Sequence, residues 1–111
     1  MTRSADFGTT VKQGVRAVQP DLVVHAHRVR DSADGPQIGF VVTKAIGGAV
    51  DRHRVARRLR HLVGAALSDM DPTDRIVIRA LPGSRNAKSQ RLQQELTAAL
   101  LKSRQFMEQG R

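Results

Sequence analysis

Apolar positions along this chain follow two rhythms, and their alternation predicts the elements. Residues 22 to 29, LVVHAHRV, are rich in β-branched side chains and follow Pro20-Asp21, which predicts a strand. Ile38 to Thr43 (IGFVVT) and residues 75 to 80 (RIVIRA) read the same way, the second stopped by Pro82-Gly83. Between the first two strands, residues 31 to 36 (DSADGP) carry the turn chemistry of a hairpin loop. The helical rhythm begins near the start, where Ser4 caps a short segment with Phe7 and Val11 on one face, ending at Gly14. Val55, Leu59, Leu62, Val63 and Ala66 then repeat at helical spacing within a helix from about Val50 to Leu67. From Ser89 onward, Leu92, Leu96, Ala99, Leu100 and Phe106 mark a long final helix.

The resulting order is α-β-β-(β)-α-β-α, the bracketed strand being an extra short one around Val15 to Val18. This is an α+β pattern: a two-layer sandwich in which helices pack a small mixed β-sheet. No repeat and no long linker divides residues 1–111, so a single domain is expected.

Charge changes the picture at the central helix. Five arginines and two histidines fall between Arg52 and His61, preceded by the lone acid Asp51. At about 100° per residue, His53, Arg57, Arg60 and His61 point away from the apolar stripe, with Arg54 and Arg58 on the flank. Acids for i, i+4 pairing are nearly absent, so these guanidinium groups are available to an external anion. The formal net charge of +9 across 111 residues reinforces this, and a polyanionic partner follows.

The rest of the composition narrows the partner by exclusion. With no cysteine there is no disulfide, thiol catalysis or thiolate zinc site. His25 and His27 share a strand face but lack a third ligand nearby, so no metal site is expected. Glutamate occurs only at Glu95 and Glu108, and Gly47-Gly48 does not lead into a phosphate-binding Gly-Lys-Ser/Thr loop. No catalytic residue is therefore assigned. Trp and Tyr are missing and the three Phe are scattered, which disfavours modules that stack bases on clustered aromatics. No apolar run approaches the roughly 20 residues that cross a bilayer, and no apolar signal core opens the chain, so no membrane association and a cytoplasmic location are expected.

The segment IGFVVTKAIGGAVDRHRVARRLRHL resembles the signature of the protein subunit of bacterial ribonuclease P. In that family a strand ending in Ser/Thr-Lys-Lys leads through a Gly-rich turn and Ala-Val into a helix opening Arg-Asn-Arg-x-x-Lys-Arg. Here the strand end is Thr43-Lys44-Ala45, the turn is Gly47-Gly48, and Ala49-Val50 precedes Arg52-His53-Arg54, with Arg57 and Arg60 at the later basic positions. The likeness extends outward to Ser4 through Gly14 and to Asp74 through Ile78. The chain departs from the family pattern at His53 (usually Asn), Ala56 and Ala45 (usually Lys), and Arg79, which stands one position early.

The resemblance implies an endoribonuclease whose catalytic groups reside in a large RNA that removes the 5′ leader of precursor tRNA with bound Mg²⁺. It implies two partners, catalytic RNA and precursor tRNA, in a 1:1 protein–RNA complex. It assigns Arg52, His53, Arg54, Arg57 and Arg60 to the catalytic-RNA contact, with Arg58, His61 and Lys44 as adjoining basic positions. It places the leader in a cleft walled by Phe7 and Val11, with His25, Val41 and Thr43 on its floor. It also implies a left-handed crossover through the arginine helix. The rival reading is a structural RNA-binding protein of ribosomal or assembly type. A major-groove DNA reader is less compatible, because strands rather than a helix flank the arginine helix.

Overall fold

The computed structural model describes residues 14–28, 37–66 and 74–109. The predicted first helix with Phe7 and Val11, the loop at 31–36 and the predicted helix end at Leu67 lie outside the described residues. Four strands form one sheet: β1 (Val15–Val18), β2 (Leu22–Arg28), β3 (Gln37–Val41) and β4 (Asp74–Ala80). Two long helices, α1 (Ala49–Ala66) and α2 (Ser89–Gln109), and a 3₁₀ turn at Pro82–Arg85 complete the described elements.

The strand order is β1-β2-β4-β3. β1 and β2 are antiparallel, joined by a tight turn in which the Gln19 amide donates to the Leu22 carbonyl at 2.8 Å. β2 and β4 are antiparallel, whereas β3 and β4 are parallel. The hairpin expected of β2 and β3 is therefore not formed, because β4 is inserted between them. The reason is in the composition of β4. Asp74 through Ile78 are all buried, and only a central strand covers both faces of such a run. The turn residues at 31–36 fitted a reversal of direction but carried no information about which strand would fill the gap.

Parallel pairing of β3 with β4 requires a long crossover, and α1 supplies it. Both helices lie on one side of the sheet. Val55, Leu59 and Val63 of α1 and Leu92, Leu96 and Ala99 of α2 share one core cluster with Leu22, Val24, Ala26, Ile76 and Ile78. Ile38, Phe40 and Val42 pack against its edge, as the alternation of IGFVVT predicts. Phe106 does not join: it is 39% exposed, and Ser103 and Met107 continue the inward stripe instead. At 100° per residue Phe106 lies roughly 60° from the centre of that stripe, on its margin. The Ser103 hydroxyl, buried among apolar groups, donates to the Ala99 carbonyl at 2.8 Å and so is satisfied within its own helix.

Buried carboxylates tie the layers together. The Asp21 amide in the β1–β2 turn donates to Glu95 Oε1 of α2 at 2.8 Å, and Arg91 Nε lies 2.9 Å from Asp21 Oδ2 and 3.2 Å from Glu95 Oε2. Burial, and then the hydrogen bond to the Asp21 carboxyl, raise the Glu95 pKa above its ordinary value. At the opposite end of β2, Arg28 Nε donates to Asp74 Oδ1 at 3.0 Å.

Candidate nucleic-acid interface

The approach to α1 is built around one buried side chain. After β3 the chain turns through Thr43 to Gly47, with the Ile46 amide donating to the Thr43 carbonyl (3.1 Å) and the Gly47 amide to the Lys44 carbonyl (3.2 Å). Ile46 is 2% exposed and anchors the turn in the core, so Lys44 beside it is left on the outside. Gly47 has φ +150°, a conformation open to glycine and strained for other residues. A Cβ there would stand 2.7 Å from Asp51 Oδ2. Asp51, in the first turn of α1, thus folds back over the helix start, where a negative charge opposes the exposed amide dipoles.

From this start the predicted amphipathic split is realised. Val55, Leu59 and Val63 are buried, while His53, Arg54, Arg57, Arg60 and His61 are exposed. Among the described residues none of these five has an internal ion pair or side-chain hydrogen bond. Two arginines of the segment behave differently. Arg58 is half-buried and its Nη1 donates to the Ala87 carbonyl at 2.8 Å, fastening α1 to the connection before α2. Arg52 is also half-buried, with a buried Nε that has no hydrogen-bond partner among the described residues. A guanidinium with an orphaned buried donor is held ready for an acceptor that the described residues do not provide.

The predicted cleft residues are dispersed. Phe7 and Val11 lie outside the described residues. Thr43 falls beyond the end of β3 and is exposed, its Oγ1 accepting from the Ala45 amide at 3.4 Å. Val41 and His25 do share a face, the one turned away from the helices. Register brings Val18, Val23, Arg79 and Val41 into one row across the sheet, and Arg16, His25, Val77 and Gly39 into the next. The floor is not open throughout. Val77 is fully buried and Gly39 is buried as well, whereas Val18, Arg79 and Arg16 are exposed. His25 is 9% exposed, and its pKa is lowered by burial first, then by the charges of Arg16 and Arg79.

Arg16 and Arg79 were not among the predicted site residues. The alternation Arg75-Val77-Arg79 announces a basic strand face, but which strands flank it depends on the insertion of β4. Among the described residues no group of three or more His, Cys, Asp or Glu is arranged to hold a metal ion.

Among the described residues, a basic helix displayed by a four-stranded mixed sheet, with unpaired guanidinium groups and four internally paired acids, defines a polyanion-binding α+β protein. Residues 1–104 match the family model for ribonuclease P. The chain is 58% identical over 106 residues to the ribonuclease P protein component of Mycolicibacterium vanbaalenii, covering 95% of this chain and 89% of that one. The corresponding Mycobacterium avium protein is also 58% identical, over 103 residues, covering 90% and 87%. A solved structure of Staphylococcus aureus RNase P protein superposes with a TM-score of 0.79 at 22% identity, covering 90% of each chain. The chain belongs to the ribonuclease P protein family. It is accordingly the protein part of an endoribonuclease of tRNA processing, with RNA as its partner. Among the described residues no helix is long and apolar enough to cross a membrane.

Proposed function

We propose that α1 clamps the catalytic RNA through Lys44, Arg52, His53, Arg54, Arg57, Arg60 and His61, and that the far face of the sheet guides the 5′ leader of precursor tRNA. The observation carrying this reading is that five basic side chains of α1 stand exposed, unpaired among the described residues, while its apolar back is buried. Arg58 contributes by fixing the helix against the Ala87 connection, which sets the direction in which its neighbours project. His25 and Val41 lie along the leader path, with Thr43 at its rim and Phe7 and Val11 as its wall.

The chemistry is hydrolysis of one phosphodiester bond, and its groups belong to the RNA. Asp21 and Glu95 are held by Arg91, Asp51 lies 3.7 Å from Arg85, and Asp74 holds Arg28. These carboxylates are committed within the protein. Mg²⁺ would be held mainly by phosphates of the RNA rather than by this chain's side chains, and would supply Lewis-acid chemistry to the hydrolysis there. The protein lowers the repulsion between two polyanions that must approach closely. One protein acts with one catalytic RNA, in the cytoplasm.

The test is a precursor tRNA cleavage assay with added catalytic RNA at limiting Mg²⁺. The protein should stimulate release of the 5′ leader, and Arg54→Ala combined with Arg57→Ala should abolish most of that stimulation. A ribosomal or assembly-type protein would leave 5′ processing unchanged, and that result overturns the reading.

A further inference from the structure

Among the described residues, the face of the sheet opposite the helices carries charge of a single sign. Arg16 on β1, His27 on β2, and Arg75 and Arg79 on β4 all belong to it by strand alternation, with His25 among them. The described carboxylates lie elsewhere: Asp21, Asp51, Asp74 and Glu95 are paired on the helical side or at its ends, and Glu108 is on α2. Facing His25 are Arg16 directly across from β1, Val77 directly across from β4, Arg79 and Arg75 on either side of Val77, and His27 two residues along its own strand. β3, one strand further, adds the uncharged Gln37, Gly39 and Val41. Among the described residues Arg16, His25 and Arg79 make no internal side-chain hydrogen bond or ion pair.

An imidazole more than nine-tenths buried between two free guanidinium groups is kept neutral by desolvation and by repulsion. An entering anion cancels the repulsion and offsets the desolvation with a charge-assisted hydrogen bond. A phosphodiester bridging the two arginines cancels their repulsion of a proton on His25 and accepts a hydrogen bond from the imidazolium. We propose that Arg16, His25 and Arg79 form a phosphodiester subsite in which His25 takes up a proton as single-stranded RNA binds. This rests on the reading of the far face as the leader path, and it makes leader affinity tighten as the pH falls. Neutral His25 serves the free protein, and charged His25 serves the complex.

The experiment compares two affinities of the reconstituted holoenzyme between pH 5.5 and 8. One ligand is a precursor tRNA with a leader of several nucleotides, blocked at the scissile bond. The other is the same tRNA without a leader, so that their affinity ratio isolates the leader. In wild type this ratio should rise several-fold, up to about tenfold for a one-unit shift in pKa on binding, as the pH falls. In His25→Asn the ratio should be flat, although His27, His53 and His61 are retained. Arg16→Gln changes an exposed residue and spares the fold. It should reduce the ratio and move its pH midpoint upward, since one source of repulsion is gone. A ratio well above one with the same pH slope in wild type and both variants overturns the proposal alone. A ratio near one at every pH overturns the leader reading beneath it.

Discussion

Two arginines with the same charge illustrate how burial and pairing decide a residue's role. Arg57 is exposed on α1 with no partner among the described residues, whereas Arg28 holds the buried Asp74 at 3.0 Å. Arg57→Ala should therefore weaken association with catalytic RNA while leaving thermal stability within about 0.5 kcal/mol of wild type. Arg28→Ala should do the reverse, costing about 1–2 kcal/mol of stability with little effect on affinity. Filter-binding titrations beside denaturant melts check the pair, and equal losses of affinity would indicate diffuse charge rather than a specific face. Glu95 gives a second contrast. Glu95→Ala leaves the Asp21 amide without its acceptor, at a cost of about 1–3 kcal/mol, while Glu95→Gln keeps the oxygen. Because the folded pKa of Glu95 is raised, the fold binds more protons there than the unfolded chain does. That stabilisation is complete below the ordinary carboxylate value and is lost as the pH rises through the raised one. Glu95→Gln should accordingly compare more favourably with wild type at pH 7 than at pH 4 in urea melts.

At the scale of elements, the junction between β3 and α1 aims the basic helix. Ile46 pins the turn, Gly47 supplies a backbone angle that side chains resist, and Asp51 closes over it. Gly47→Ala should cost about 1–3 kcal/mol and displace the helix start, weakening RNA binding as well. Gly48→Ala meets nothing within 4 Å and should behave as wild type in both measurements. Denaturant unfolding and RNA titration of the two variants separate geometry from composition, since each replaces one glycine with the same residue. The helices were legible from periodicity because each buries one continuous stripe, and β2 and β4 from short β-branched runs buried on both faces. The ends were less so: β3 stops at Val41, leaving Thr43 in the turn.

For the whole molecule, the governing quantity is a positive field borne on two surfaces, the outer side of α1 and the far face of the sheet. With about four to six phosphates neutralised, log affinity for RNA should fall against log salt with a slope of about −3 to −5. Binding isotherms from low to moderate salt measure it directly. A slope near zero would mean that the arginines do not replace counterions. Removing Arg54 and Arg57 together should flatten the slope by about one to two units.

The amino-acid sequence by itself determined the α+β class, the amphipathic arginine helix and the family signature at Thr43 to Arg60, because each depends on residues close along the chain. Local spacing settles which side of a helix is apolar, whatever else the chain does. Tertiary structure decided what depends on distant neighbours. It placed β4 between β2 and β3, withdrew Arg58 to Ala87, and assembled Arg16, His25 and Arg79 from three strands. Pairing order is a competition among whole strands to bury both faces, and no window of sequence contains all the competitors.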